Sequence, residues 1–563
     1  MLVDLVSTRK NISLSELSEG NNKNTIATLE IVIAEKTHKV KLDFSYFFPS
    51  SLPEARLISE FSEPNQQAHI SSRGVICLFD SEGLLLNQDD PRGLLNLYLE
   101  GLVEQLERRF DKTVSDQILD EFEAYFSQES TDKKPYLVSE PDSTDFNLFL
   151  KLGNDHKQYI YKNIEDISVF NNADGIPAGQ VINVAHIFLD LIKPSEIRKL
   201  IETRTLTCKI AKEFIENSIR RAQKISLTKS LGRRKKTKQY ILLSLKRPSG
   251  GLIFLLLIFQ GDGTSNPYST PSHQTKLEVT KPIVVTKTRL LSRGGSKFGV
   301  TDKKILIVGL GSVGSIVANN LIHVGYTKLT FVDKDLLLPE NTFRHLLGRR
   351  YWFQNKADAL KSYFEESYPY VDIKSVSQDF YQLICQVPTI FKDFDLTIMV
   401  TGNPNLELYC NALYHKEKAN KSMIIAWNEP LGVGGHSLAM VTPTIKGCYQ
   451  CLFDPFSEIY SNRASFVAPG QYFGTKTNSC GETYIEYGFP DSARTADLVL
   501  ELVDLVFSGS LDHNPLISWK GNAAQIIERG FKVSTRFEAI QQNEHDAGAS
   551  YYRENCKVCN ELP

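Results

Sequence analysis

Hydrophobic and polar positions change their period several times along the chain, and each change marks an element. Apolar residues alternate with polar ones through Thr28-Leu29-Glu30-Ile31-Val32-Ile33-Ala34 and again through Val40-Lys41-Leu42-Asp43-Phe44, as in half-buried strands. Phe48-Pro49 and Pro53 interrupt that pattern. Between 94 and 109 the period lengthens to that of a helix, with Leu95, Leu97, Leu99, Leu102, Val103 and Leu106 on one face. Residues 164–188 carry the turn signal Asp174-Gly175-Ile176-Pro177, and a long helical pattern covers 195–224. Two strand-like runs, 239–245 and 252–259, flank Pro248-Ser249-Gly250-Gly251. Residues 261–273, rich in Gly, Ser, Pro and Thr, read as a mobile connector. The last third opens on the apolar run Ile305-Leu306-Ile307-Val308 and includes a helix rich in apolar positions over 493–507.

The run at 305–308 carries the most chemistry. It enters Gly309-Leu310-Gly311-Ser312-Val313-Gly314. In such a turn Gly309 and Gly311 let the backbone fold sharply and approach a phosphate. Gly314 lets the next helix pack closely, and that helix's N-terminal amides point at the anion. A second apolar strand, Leu329-Thr330-Phe331-Val332, ends in Asp333, at the distance where an acid meets a ribose hydroxyl. These features predict a nucleotide site.

The residues after Asp333 select among nucleotides. Asp333-Lys334-Asp335 leads to Asn341, Arg344 and His345, with Lys356 further on. A dehydrogenase has no use for Asn, Arg and Lys converging on phosphates. An enzyme that attacks the α-phosphate of ATP does, because negative charge builds on the phosphoryl oxygens. The ordered set resembles the adenylation domain of the ubiquitin-activating superfamily (ThiF/MoeB-type), which includes the sulfur-carrier activators of molybdopterin and thiamine synthesis. The resemblance covers about 295–440. It implies that Gly309, Gly311, Gly314, Asp333, Asp335, Asn341, Arg344 and Lys356 bind ATP with magnesium, Arg344 and Lys356 also serving catalysis. One position departs from the pattern: Gly402, in Val400-Thr401-Gly402-Asn403, stands where the family carries a magnesium-binding Asp. Either Asp335 or Asp395 replaces that contact, or the ion is held mainly by ATP.

Nine cysteines are present. Four form the pairs Cys448-Tyr449-Gln450-Cys451 and Cys556-Lys557-Val558-Cys559, which predict a four-thiolate structural zinc site; the wide separation means that the C-terminal segment returns to clip onto the body. Adenylating enzymes of the same superfamily carry such a clip. Cys208, Cys385 and Cys410 read as inert thiols. Cys480 differs, lying in the polar stretch Thr475-Lys476-Thr477-Asn478-Ser479-Cys480-Gly481-Glu482, where a core residue is out of place. A thiol there, with Lys476 nearby, can attack an acyl-adenylate. By resemblance this is the thioester cysteine of an activating enzyme.

Cys77 lies far upstream in Arg73-Gly74-Val75-Ile76-Cys77-Leu78. Strands, a proline-punctuated turn, Gly-x-Ile-Cys-Leu and then a helix are similar to the ubiquitin-conjugating fold, in its divergent prokaryotic branch, where this cysteine receives the thioester. Asp120-Glu121-Phe122-Glu123-Ala124-Tyr125-Phe126 resembles the acidic-aromatic segment of that branch. The His-Pro-Asn motif of eukaryotic relatives is absent in register. His69 precedes Cys77 by eight residues, and either orients the loop, assists proton transfer or is merely structural.

The expected architecture is therefore α/β and multidomain. A flexible tail covers 1–20, an N-terminal ubiquitin-conjugating-like α+β domain 21–140, an α+β linker domain 141–290, and a C-terminal Rossmann-like adenylation domain with its cysteine loop and zinc clip 291–563. A net charge of −2 argues against bulk nucleic-acid binding. The basic run Arg233-Arg234-Lys235-Lys236 reads as a solvated loop, and the longest apolar run, 252–259, is too short to span a membrane. Residues 1–26 lack the apolar core of a signal peptide, and the cysteine pattern fits a reducing cytoplasm. The domain order resembles the activating–conjugating fusions of bacterial antiphage operons, notably cyclic-oligonucleotide (CBASS) systems. That implies a homodimer and a protein modifier presented by its C-terminus, a cGAS-like nucleotidyltransferase or a ubiquitin-like protein. It also implies a target amine and, in some operons, an isopeptidase. A sulfur-carrier activator, a dehydrogenase and a catalytically degenerate scaffold are the alternatives.

Overall fold

The computed structural model describes residues 1–20, 23–58, 69–70, 74–78, 84–108, 112–122, 134–152, 157–171, 180–202, 206–232, 235–295, 301–453, 461–476, 483–541 and 549–560. Two compact units divide the chain. One comprises 1–166 and 176–285, the other 167–175 and 286–563.

The first unit holds two sheets. Strands Ile12–Glu19, Thr25–Ile33, Lys36–Phe44, Glu54–Leu57 and Val75–Ile76 form an antiparallel meander in chain order. Alternation decides which face is buried: Ala27, Leu29 and Ile31 face the core with Val40 and Leu42 from the next strand. Helix Pro91–Glu107 covers them. Asp90 caps it, accepting from the Gly93 amide at 2.8 Å, and Pro91 occupies its first turn. Leu95, Leu99, Leu102 and Leu106 are buried, each contributing roughly 1.5–3 kcal/mol. Leu97, assigned to that face from its spacing, is instead exposed.

Residues 1–20 are not a flexible tail. Helix Leu2–Ser7 buries Leu5 and Val6, and the strand Ile12–Glu19 pairs with Thr25–Ile33. Its register slips between Leu14 and Glu16, so the apolar residues change parity and a two-residue period does not show.

The second sheet has eight strands, in the order Lys276–Thr280, Leu252–Gln260, Lys238–Lys246, Val181–Leu189, Asn147–Leu152, Gln158–Tyr161, Tyr136–Leu137 and Ile283–Val284. The expected helix over 195–224 is three helices, Pro194–Glu202, Cys208–Ser218 and Arg221–Leu231, because Thr207 starts a new helix by capping Ile210 and the chain turns again at Ile219. Helix Lys112–Asp120 sends Val114, Ile118 and Leu119 into this core, although its sequence position groups it with the meander. The expected connector at 261–273 is likewise built in. The Tyr268 ring is buried edge-on to Phe259, its amide donates to Gln239, and Asn266 donates to the Gly232 carbonyl. Lys236 donates to the Leu231 carbonyl; Arg233 and Arg234 lie outside the described residues.

The second unit is a Rossmann-like sheet. Strands Asp372–Val376, Tyr326–Val332, Thr301–Val308, Leu396–Met399 and Ser422–Asn428 run parallel, and Gly434–Met440 and Leu516–Lys520 extend the sheet antiparallel. Helices Ser312–His323, Lys356–Ser367 and Phe489–Ser508 cover one face, while Phe380–Gln386 and Pro404–Lys416 cover the other. From Thr301–Val308 the chain moves first to one side of the sheet and later to the other. The crevice beyond the ends of Thr301–Val308 and Leu396–Met399 is therefore the switch point at which such sheets bind ligands.

Among the described residues no helix is long and apolar enough to cross a membrane.

Candidate active sites

The glycine-rich turn sits at that switch point, and its three glycines have separate causes. Gly309 adopts φ +87°, in the left-handed region, and a Cβ there would lie 2.7 Å from the Val400 carbonyl oxygen. A Cβ on Gly314 would collide with the Gly309 carbonyl. A Cβ on Gly311 meets nothing within 4 Å, so its missing side chain serves the cleft and not the packing. Gly311 is also the N-cap of helix Ser312–His323 and offers no side chain to occupy the first amides.

Asp333 ends the strand Tyr326–Val332. Its carboxylate accepts from the Leu310 amide at 2.6 Å and the Asp335 amide at 2.8 Å, which leaves lone pairs for hydroxyl donors. Burial pushes its pKa up, while Lys356 and the two amides oppose the rise. Asn355 caps helix Lys356–Ser367 and donates back to the Asp333 carbonyl at 2.9 Å, which fixes Lys356 beside the acid. The Lys356 ammonium lies 3.2 Å from Asp335. Arg344 stacks over the Tyr487 ring at 5.7 Å. Asn341 spends its side-chain oxygen on the Leu338 amide. His345 is buried, donates from Nε2 to the Leu310 carbonyl and accepts at Nδ1 from the Leu347 amide. Burial pushes its pKa down to about 4, so it is a neutral brace between this loop and the glycine turn.

Gly309, Gly311, Asp333, Asp335, Arg344 and Lys356 line one cleft of about 1030 Å³. Arg344, Lys356 and Asn341 also line the adjoining cleft. Gly314 stands behind the turn. Of the two carboxylates considered for magnesium, Asp335 is in the cleft and Asp395 is not. Asp395 precedes the strand Leu396–Met399 and binds the Lys304 amide and Lys421, each at 2.9 Å, at the end of the parallel strands opposite the cleft. Four strand residues separate the two ends by roughly 13 Å. Gly402 has φ +64° and open space before it.

Sequence reasoning missed the acid beneath this cleft. Glu407, in the first turns of helix Pro404–Lys416, is fully enclosed and accepts from the Thr401 hydroxyl at 2.8 Å and the Tyr449 hydroxyl at 3.0 Å. Burial pushes its pKa up to about 7. An acid soon after Asn403-Pro404 reads as a surface residue of a helix start; Tyr449, which covers it, is 42 positions away.

Tyr449 belongs to the first cysteine pair. The sulfurs of Cys448, Cys451, Cys556 and Cys559 all lie within 4.8 Å of one another and are buried. The Cys448–Cys556 and Cys451–Cys559 separations are 3.7 and 3.6 Å. Tetrahedral thiolates around a metal at about 2.3 Å are about 3.8 Å apart, whereas a disulfide needs about 2 Å. The cluster fits a structural metal with no open position.

Cys480 lies outside the described residues. The strands on either side of it in sequence, Thr475–Lys476 and Thr483–Tyr484, pair with each other, and Tyr484 lines both clefts. Cys77 follows the strand Val75–Ile76 and is exposed. Gly74 precedes that strand with φ +80°, its back against the Leu57 carbonyl. Cys208 and Cys410 are buried, but Cys385 is exposed.

A parallel sheet with a glycine-rich turn at its switch point, an acid at the end of the neighbouring strand, two cations in the cleft and four clustered cysteines fit the fold of an activating-type adenylation domain. Residues 297–481 match the ThiF family and residues 5–135 match prokaryotic E2 family B, so the chain joins an E2-like domain to an E1-like one. The uncharacterized protein y4oA of Sinorhizobium fredii is 24% identical over 44% of this chain and 43% of its own length. The ATP-dependent ubiquitin transferase-like protein Cap2 of Enterobacter hormaechei is 30% identical over 25% of this chain and 23% of its own length. Its counterpart in Pseudomonas aeruginosa is 30% identical over 27% of each. The chain spans less than half the length of each of these relatives. A crystal structure of E. coli MccB with AMPCPP and MccA shares 16% identity over 48% of this chain and 69% of that one, with a TM-score of 0.32, a likeness too slight to argue from.

Proposed function

We propose that this chain activates the C-terminal carboxylate of a protein modifier with ATP, relays it through Cys480 and then Cys77, and joins it to a target amine. The observation that carries the reading is the single cleft that gathers the glycine turn, Asp333, Arg344 and Lys356, in a chain that also holds an E2-like domain with an exposed cysteine. A carboxylate is a poor acyl donor, so its oxygen first attacks the α-phosphorus of ATP and pyrophosphate leaves. Arg344 and Lys356 neutralise the charge that develops, and Asp333 holds the ribose. The Cys480 thiolate then attacks the acyl-adenylate and AMP leaves. Transfer to Cys77 exchanges one thioester for another and needs proximity more than driving force. At Cys77 a target amine displaces the thiol.

Magnesium would be held chiefly by the ATP phosphates, with Asp335 the carboxylate in reach of the cleft. Zinc is the metal that four thiolates fit best, with a structural role. Relatives named as ATP-dependent ubiquitin transferase-like support the conjugating reading. The fusion order supports a cGAS-like nucleotidyltransferase as modifier and a place in CBASS-type antiphage defence; the cysteine pattern supports a cytoplasmic setting, and the resemblance to adenylation domains that pair supports a homodimer. ATP–pyrophosphate exchange is the test. The full chain with the C-terminal peptide of a modifier encoded beside its gene exchanges label, and peptides from other neighbours do not. Bound ATP without exchange for any neighbour would leave a degenerate scaffold.

A further inference from the structure

Next to the exposed thiol of the E2-like domain stands a histidine already paired with a carboxylate. Ile70 bridges to Ile76 in antiparallel sense, and the Cys77 amide donates to the His69 carbonyl at 2.7 Å. His69 and Cys77 therefore oppose each other across the ladder. Ile70 and Ile76 are buried, whereas Cys77 is exposed and His69 half-buried, as expected when successive residues turn to opposite faces. The Nδ1 atom of His69 lies 2.6 Å from Oε1 of Glu121. Glu121 continues the last turn of helix Lys112–Asp120 through its amide bond to Gln117, and Ile118, Leu119 and Phe122 anchor that turn in the core of the eight-stranded sheet. The carboxylate thus belongs to a firmly packed element, not to the loop that carries His69. His69 itself is held at φ +66°, a conformation that non-glycine residues rarely keep without surrounding support.

A carboxylate on Nδ1 selects the tautomer with hydrogen there, which puts the ring's basic lone pair at Nε2. We infer that Glu121, His69 and Cys77 form a catalytic set for the aminolysis step, resting on the thioester reading of Cys77 above. The amine nitrogen attacks the thioester carbonyl at Cys77 and gives up a proton to Nε2 of His69. The carbon–sulfur bond breaks, an amide forms, and the proton passes from His69 to the departing Cys77 thiolate. Glu121 is a positioning residue that aims the ring and stabilises the imidazolium.

The test loads the full-length chain without ATP or modifier. The N-acetylglycyl thioester of 2-mercaptoethanesulfonate charges Cys77 by thiol exchange, and discharge onto n-butylamine is followed by mass spectrometry of the Cys77 peptide. His69→Ala should charge normally and discharge about 100-fold more slowly, within the range of general base catalysis. Added imidazole should restore much of that rate, and Glu121→Gln should show a smaller loss. Discharge of His69→Ala at the wild-type rate, or a loss that imidazole leaves unchanged, would overturn the inference. The relay reading fails separately: a chain that shows His69-dependent discharge of the probe, yet never forms a Cys77 thioester from ATP and a modifier, keeps the catalytic set and loses the relay.

Discussion

Replacing Glu407 with glutamine isolates the energetic consequence of burying an acid beneath the nucleotide cleft. The carboxylate is fully enclosed, held by Thr401 and Tyr449, and its pKa rises from 4.5 to about 7 because burial disfavours the charged form. The folded chain therefore binds this proton more tightly than the unfolded chain does. Stability from this group is full below pH 4.5 and is lost as pH rises toward 7. A rise of about 2.5 in pKa, at about 1.4 kcal/mol each, amounts to about 3 kcal/mol. Glutamine keeps the oxygen that Thr401 needs and cannot ionise. The stability of Glu407→Gln relative to wild type should thus climb by about 3 kcal/mol between pH 4.5 and 8. The wild-type profile alone hides this. Burial pushes His345 and His415 down to about 4, so the folded form binds their protons less tightly, and their contribution grows over much of the same window. Denaturant-dependent hydrogen exchange of the strand Leu396–Met399 reports on this domain, and the variant is compared with wild type at each pH. Parallel profiles for the two proteins would refute the reasoning.

The glycines offer a paired test. Gly314→Ala forces a collision inside the protein and should lower the melting temperature of its domain, whereas Gly311→Ala should leave melting unchanged and weaken ATP binding measured by calorimetry. Lys356→Ala should reduce pyrophosphate exchange by about 100-fold or more, with folding intact by circular dichroism. Cys559→Ser removes one of four thiolates, so metal content by atomic absorption should fall from one equivalent per chain toward zero. Melting should drop with it, since Tyr449 and the buried C-terminal pair share one core with helix Pro404–Lys416.

Where a candidate site lies in contiguous residues, its place in the fold was readable. The glycine turn, Asp333 and the two cysteine pairs each carry a local chemical logic, and the fold brings Cys448, Cys451, Cys556 and Cys559 together across more than a hundred positions. The features that escaped depend on distant partners or on a broken period. The slip between Leu14 and Glu16 concealed the first strand. Tyr268 and Asn266 fix a segment whose composition suggests mobility, because two anchored side chains outweigh the glycines around them. Asp395 looked close to Gly402 in sequence, yet the intervening strand carries it to the far end of the sheet. Glu407 and Glu121 owe their roles to Tyr449 and His69, and no local pattern announces either pairing.

The central claim is a relay through two thiols in a fixed order. A non-reducing gel of the full chain with ATP, magnesium and a modifier encoded beside its gene tests it directly, comparing wild type with Cys480→Ala and Cys77→Ala. The account predicts a thiol-sensitive adduct that survives Cys77→Ala and disappears with Cys480→Ala. An adduct on Cys77 that persists in Cys480→Ala would contradict it.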